Sequence, residues 1–443
     1  MARCRWRTHA GRRTQAVEVS PRNGENAAMY QRNIIRKLNA ALADTRVVLL
    51  NGARQVGKST LAQQLARQRG GQYLSLDDPA IAELARTDPS ALVSGAAGFT
   101  VIDEVQSAPG LFPALKREVD RHPVPGRFLL TGSANVFMLP TAAESLAGRM
   151  EVLTLDPLSQ CEIEGSPHNF VDALFGPAPW VRRTLPTDRA DLVRRLVSGG
   201  FPEGLGRTDA QRRDAWFRAY LTSLLQRDVR DYANIEGLHD MPRLLSLLAA
   251  RASSLLNMAE VSRATGIAHS TLRRYLSLLE ALFIVQPLPA WSANLGKRLV
   301  KAPKLHLIDA GLTAHLRGHT DAAVLALSPL LGPPLETFAV QELRRHLRSA
   351  DTAASALHFR TAAGLEVDMV LETPDQRIVG VEVKASASIT QADFSGLRAL
   401  ASAAGNAFVR GVVLYTGEQL LPFEETLWAV PLGVLWAGGS RQA

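Results

Sequence analysis

Short apolar runs that break into polar residues recur along the first third of the chain. VVLL at 47–50 opens into the glycine-bounded stretch NGARQVGKST, and Leu61 and Leu65 then mark a helix that begins at about Lys58. FTVIDEV at 99–105 and RFLLTGSAN at 127–135 take the same form. Such uninterrupted apolar runs predict buried strands and an α/β core.

The period then changes. From Asp214 to Tyr232 the chain reads as a helix with Trp216, Tyr220 and Leu224 on its apolar face. Residues 243–288 predict a helix, a short helix, a turn at Gly266 and a long helix from Ser270 to Phe283. The strand-like stretches FIVQPLPAW and KLHLIDAGL follow, completing the order of a winged helix-turn-helix. Beyond LALSPLLGPP, the apolar helix LETFAVQELRRHL precedes three strands, HFRTAAG, EVDMVLE and IVGVEVKAS, the last two joined by a TPDQR turn.

Composition narrows the class. A chain of 443 residues has room for two to four domains at roughly 100–200 residues each. Its 46% hydrophobic and 21% charged content is that of a globular protein, and no run approaches the roughly 18 apolar residues of a membrane span. Two cysteines, Cys4 and Cys161, cannot build a disulfide framework, so the expected compartment is the cytoplasm. The net charge of +8 is uneven: residues 1–28 carry Arg3, Arg5, Arg7, Arg12, Arg13 and Arg22 against Glu18 and Glu25. This tail has no apolar period and is expected to be disordered, with Met29 as an alternative start; a basic nucleic-acid arm or a transit segment are the other readings.

Gly52, Ala53, Arg54, Gln55, Val56, Gly57, Lys58, Ser59 and Thr60 span the pattern G-x-x-x-x-G-K-[ST] between a predicted strand and a predicted helix. Glycines let backbone N–H groups wrap phosphates, the helix N-terminus adds its positive end, Lys58 reaches the β/γ-phosphates and Ser59 ligates Mg²⁺. A second strand must bring a carboxylate to that metal, and the strand before Asp103 and Glu104 does so: Asp103 for Mg²⁺, Glu104 to deprotonate the attacking water. The next strand ends in Thr131 and Ser133, candidate sensors of the γ-phosphate. In SLAGRM, Arg149 is a candidate arginine finger for a neighbouring subunit in a homo-oligomer.

GARQVGKSTL, VIDEVQ, LLTGSAN, SLAGRM and GGFPEGL, in this order, resemble the N-terminal module of prokaryotic AAA+ ATP-binding proteins related to the archaeal and STAND ATPases. The resemblance covers about residues 29–230. It implies ATP and Mg²⁺ as ligands, ATP hydrolysis as the activity, and Gly200 and Pro202 near the nucleotide base. The expected organisation is a tail (1–28), a P-loop AAA+ core (29–165), a helical lid (166–232), a winged helix (233–322) and a C-terminal domain (323–443). His269, Ser270, Thr271, Arg273 and Arg274 open the candidate recognition helix as DNA contacts, or the element packs on protein. Lys297, Arg298, Lys301 and Lys304 form a basic run that adds little, since such charges commonly coat a solvated face.

In the last domain Asp368 sits on one predicted strand, and Glu382 and Lys384 lie two apart on one face of the next. If the strands pair, the two carboxylates can hold a divalent cation while the lysine neutralises charge at a phosphodiester. This is similar to the D…E-x-K core of the restriction-endonuclease-like superfamily, with Glu336 as the upstream acidic residue, and residues 231–443 resemble the domain of unknown function that commonly follows this ATPase module. A salt-bridge network is the other reading of the trio. Two functions therefore compete: an ATPase coupled to a nucleic-acid-facing, nuclease-like module, and a STAND-like nucleotide switch that binds a protein or DNA without cleaving it.

Overall fold

The computed structural model describes residues 30–133, 145–177, 188–228, 238–322, 325 and 331–437. The basic tail, Cys4, Asn135, the stretch up to Tyr232 and the side chains of Arg227, Asp228 and Lys297 lie outside the described residues.

Five parallel strands form the first sheet: β1 (Val47–Asn51), β2 (Gln72–Ser75), β3 (Thr100–Asp103), β4 (Phe128–Gly132) and β5 (Met150–Thr154), in the order β2-β3-β4-β1-β5. Period-two alternation explains why β1 is apolar throughout. Val48 and Leu50 pack with Leu61 and Leu65 of helix α2 (Lys58–Gln68), which follows α1 (Ile35–Asp44). Val47 and Leu49 face the opposite layer, with Leu111, Phe112 and Leu115 of α3 (Leu111–Arg121).

Helix α4 (Ala210–Ser223) starts earlier than the apolar period suggested, because Asp209 caps it by accepting from the Arg212 N–H at 2.8 Å. A wider turn at Leu224–Asp228 follows. Then come α5 (Met241–Ala250), β6 (Ser254–Leu255), α6 (Met258–Thr265), α7 (His269–Ala281), β7 (Val285–Leu288), α8 (Leu295–Val300) and β8 (Lys304–Leu307). Gly266 ends α6 in the left-handed region, φ 77°, where the predicted turn falls. β8 lies between β6 and β7 in an antiparallel sheet.

The C-terminal part begins with α9 (Gly332–Ser349), followed by β9 (Ser355–Arg360), β10 (Glu366–Glu372), β11 (Ile378–Lys384), α10 (Ser395–Ala404), β12 (Phe408–Tyr415), β13 (Leu421–Pro422) and β14 (Leu427–Pro431). The sheet order is β13-β14-β12-β11-β10-β9; β9, β10 and β11 are antiparallel, whereas β11, β12 and β14 are parallel. Val412 and Leu414 of β12 pack on the α9 side with Phe338 and Leu343, while Val413 and Tyr415 pack on the α10 side with Leu397 and Leu400.

Arg345 of α9 is buried where these parts meet. Its guanidinium donates to Asp309 Oδ2 at 3.0 Å, Glu342 Oε1 at 2.6 Å and the Leu158 carbonyl at 3.0 Å. Asp309 also accepts from the Gly200 N–H at 2.7 Å, and Glu342 from the Gln160 N–H at 2.7 Å. Every charge in this group has a partner, which is the condition for burying it. Arg345→Ala leaves two buried carboxylates without their cation and is expected to cost about 3–5 kcal/mol in urea unfolding; a loss under about 1 kcal/mol would mean the network contributes no more than an exposed ion pair.

Candidate nucleotide site and the C-terminal carboxylate cluster

β1 delivers the glycine-bounded loop. Gly52 has φ +143°, and a Cβ there would lie 2.2 Å from the Leu155 carbonyl oxygen, so only glycine passes beneath the end of β5. Lys58 opens α2 and folds back over the loop, its Nζ donating to the carbonyls of Gly52 (2.9 Å) and Ala53 (2.8 Å). Arg32 braces the loop from below. It donates to the Val56 carbonyl at 2.7 Å and the Asp156 carbonyl at 2.6 Å, and pairs with Glu162 at 3.1 Å. No local pattern marks Arg32; the charge at the end of a solvated-looking segment is 8% exposed in the fold.

β3 brings Asp103 to Ser59, whose hydroxyl donates to Asp103 Oδ1 at 3.1 Å. Thr131, from the neighbouring β4, donates to the same oxygen. Tyr73, from β2 on the other side, donates to Asp103 Oδ2 at 2.6 Å. Burial, together with this bond, pushes the Tyr73 phenol above its usual range and keeps it a donor. Tyr73 was missed in the sequence because an aromatic residue in a strand is ordinary; only the sheet order brings it beside Asp103.

Glu104 leaves β3 in the left-handed region, φ 60°, a conformation that costs a non-glycine residue about 1–3 kcal/mol and clusters at functional sites. Its N–H donates to Thr131 Oγ1 at 3.1 Å, and its carboxylate accepts from Ser133 Oγ at 3.0 Å and from Gln106. Of the two candidate sensors, Thr131 therefore contacts both Asp103 and the Glu104 N–H, and Ser133 contacts the Glu104 carboxylate.

A cavity of about 600 Å³ lies over the loop. Arg54, Gln55, Gly57, Lys58, Ser59, Thr60 and Glu104 line one side, and Pro202, Glu203, Arg207, Trp216, Tyr220 and Leu224 the other. Ala53 and Val56 turn into the core. The Trp216 and Tyr220 rings are near parallel, 17° apart at 5.5 Å. Pro202 lines the cavity and Gly200 does not. A Cβ at Gly200 would lie 2.2 Å from the Leu158 carbonyl oxygen, and its N–H is held by Asp309, so this glycine serves a close backbone crossing. Arg149 is held by both oxygens of Asp120, at 2.6 and 3.0 Å.

At the other end of the chain β10 and β11 pair with Met369 opposite Val381, which brings Asp368 alongside Glu382. The trio is therefore assembled, but with a fourth member. Lys304 of β8 places Nζ 2.8 Å from Asp368 Oδ1, 2.9 Å from Glu336 Oε1 and 3.6 Å from Glu366 Oε2. The expectation that Lys304 belongs to a solvated face is wrong: it is 2% exposed, with its ammonium enclosed by carboxylates of the C-terminal part. Its neighbours in the basic run are also engaged with the C-terminal sheet. Arg298 pairs with Glu372, with Nη2 at 2.8 Å from Oε1, and Lys301 donates to the Arg360 carbonyl at 3.2 Å.

Burial opposes the charge on Lys304, but Asp368 and Glu336 outweigh it and hold the ammonium above the ordinary lysine range. Burial, reinforced by Asp368, pushes Glu336 well above the usual carboxyl range. The same two causes raise Glu382 to about 8 against the pull of Lys384, whose Nζ donates to Glu382 Oε1 at 2.8 Å. Asp368 Oδ2 accepts from the Val383 N–H at 2.9 Å.

Residues 44–164 match the AAA domain family, residues 189–323 a domain of unknown function (DUF8612) and residues 331–435 a second domain of unknown function (DUF4143). The first match makes this part of the chain an AAA-type nucleotide-binding domain. The uncharacterized proteins Mb2031c of Mycobacterium bovis and Rv2008c of Mycobacterium tuberculosis are each 32% identical over 413 residues, covering 93% of this chain and 85% of theirs. Among solved structures, RuvB of Thermotoga maritima is 17% identical, with 58% of this chain and 89% of that one covered at a TM-score of 0.30. AMPPCP-bound DnaA of Aquifex aeolicus is 13% identical, with 56% and 85% covered at a TM-score of 0.27. Among the described residues no helix is long and apolar enough to cross a membrane.

The raised carboxyl of Glu382 carries a pH consequence. Folding favours its protonated form, so the stability this gives is complete below about pH 4.5 and is lost as pH rises through about 8. In denaturation series across that range, Glu382→Gln is expected to stay level where the native protein weakens. Parallel curves would remove Glu382 as the source.

Proposed function

The chain belongs to the same family as Rv2008c and Mb2031c, and from that premise and its AAA domain we propose that it is an ATP hydrolase whose nucleotide state is relayed to a nucleic-acid-gripping middle module. The observation that carries the reading is the meeting of Ser59 with Asp103 beside Lys58 and Glu104 at one cavity. Lys58, whose Nζ donates to its own loop's carbonyls at 2.8 and 2.9 Å, exchanges those bonds for the β/γ-phosphates. Ser59 and Asp103 would hold Mg²⁺, which neutralises charge on the phosphate oxygens when bound. The fit rests on the donor set: Asp103 is ringed by three neutral hydroxyls, Ser59, Thr131 and Tyr73, which hold the carboxylate without repelling a cation. Glu104, once released by Gln106 and Ser133, takes the proton of the attacking water. The Trp216–Tyr220 wall offers an aromatic face to the base.

Coupling follows from Pro202 on the cavity wall, joined through Phe201 to Gly200, which is tied through Asp309 to Arg345 of α9. The order α5, β6, α6, α7, β7, β8 with β8 central supports a winged helix. His269, Ser270, Arg273 and Arg274 are exposed on α7 and Thr271 is half-buried, which suits contact with nucleic-acid phosphates. The β9-β10-β11-β12 order, with α9 and α10 on opposite faces, supports a restriction-endonuclease-like fold for the last domain. Lys304 favours the reading in which that domain does not cleave.

Lys58→Ala is expected to abolish nucleotide binding. Glu104→Gln should bind ATP yet release phosphate on the order of 100-fold more slowly. Tyr73→Phe should raise the Mg²⁺ concentration needed for half-maximal turnover while leaving nucleotide affinity unchanged. Full turnover in both the Lys58 and Glu104 variants would overturn the site assignment. For the middle module, replacing Arg273 and Arg274 together with alanine should weaken DNA retardation and reduce the salt-dependence slope by about 2. An unchanged slope would assign α7 to protein packing.

A further inference from the structure

The carboxylates of the last domain are those a metal-dependent phosphodiesterase would need, yet they do not fit a divalent cation. We propose that Lys304 is the resident cation of this cluster, so that the C-terminal domain holds no divalent metal at Asp368 and joins the middle module to the sheet without cleaving phosphodiesters. This inference concerns residues remote from the nucleotide loop and is independent of ATP hydrolysis.

The oxygens are already committed. Lys304 Nζ lies 2.8 Å from Asp368 Oδ1 and 2.9 Å from Glu336 Oε1, with Glu366 Oε2 at 3.6 Å. An ammonium has three donors, and here three carboxylates surround it. Asp368 Oδ2 accepts from the Val383 N–H at 2.9 Å, and Glu382 Oε1 from Lys384 Nζ at 2.8 Å. Among the described residues Glu382 Oε2 is buried without a hydrogen-bond partner, but a Mg²⁺ held there, even one keeping several of its waters, would meet the Lys384 ammonium on the same carboxylate.

The contrast with Asp103 is chemical. A hydroxyl is neutral and can remain beside a carboxylate while a metal binds, whereas an ammonium repels the incoming ion at short range in a poorly screened interior.

Lys304 is also fixed in place. Its strand is bonded on both sides, with Lys304 opposite Leu255 and opposite Leu288. The segment after β7 is welded to the C-terminal sheet: the Trp291 N–H donates to the His358 carbonyl at 2.6 Å, and the His358 N–H to the Pro289 carbonyl at 2.8 Å. Trp291 Nε1 and Arg298 both bond Glu372 at the end of β10. The ammonium is delivered by backbone that the rest of the fold holds, and it cannot swing to solvent without breaking this seam.

The test uses the full chain without nucleotide and Mn²⁺ as the probe, comparing the native protein with Asp368→Asn and Glu382→Gln by calorimetry. Any binding by the nucleotide loop is common to all three and cancels. Native and variant proteins are expected to bind Mn²⁺ equally, within about twofold, and none should nick supercoiled plasmid in Mn²⁺. A larger excess of native binding over both variants, or native nicking lost in either variant, overturns the proposal. Circular dichroism identifies a variant that has not folded, and the other variant then decides the outcome.

Discussion

Arg345 is the charge on which the arrangement of the parts depends. Held between Asp309 and Glu342, it fastens the Leu158–Gln160 segment after β5, the Gly200 backbone where it crosses Leu158, and the long helix α9 at a single buried point. An uncompensated charge is so costly in an interior that each member requires the others. The nucleotide-binding part and the C-terminal sheet are therefore held by a contact that tolerates little slack. Phe201 alone separates the cavity-lining Pro202 from Gly200, whose N–H is held by Asp309.

The two acidic clusters show how partner type decides what a carboxylate can do. Asp103 is positioned by Ser59, Thr131 and Tyr73, contributed by α2, β4 and β2, and its surroundings add no positive charge through these bonds. Asp368 is positioned by an ammonium and a backbone N–H. Both are buried acids on strands, Asp103 at the end of β3 and Asp368 within β10, and both were offered to metals on the same reasoning. Their environments separate them: one is poised beside a phosphate loop, the other neutralised by a lysine from a different sheet.

Backbone geometry makes the same distinction. Gln55 and Glu104 both hold left-handed φ, at 62° and 60°, and both line the nucleotide cavity. Strain of that kind persists only where the surrounding fold enforces it. Around Asp368 the irregularity is a register shift between Val367 and Val370, a bend in a strand whose residues are otherwise paired.

Local pattern alone carried much of the architecture. The apolar run of β1, the glycines at 52 and 57, Lys58, and the strands ending in Asp103 and Thr131 were legible because a buried parallel strand and a phosphate loop each demand particular residues at fixed offsets. The helix, turn and helix around Gly266 and the hairpin pairing Asp368 with Glu382 were legible for the same reason. Arg32, Tyr73, Gly200 and Lys304 were not. Each acts on a partner tens to hundreds of residues away, and nothing in its own neighbourhood distinguishes it from a surface charge, a strand aromatic or a turn glycine. Periodicity and spacing report what a residue does for its own element. Which charge lies opposite which carboxylate depends on the order of strands and the seam between sheets, and only the tertiary structure decided that a lysine, placed by β8, meets Asp368.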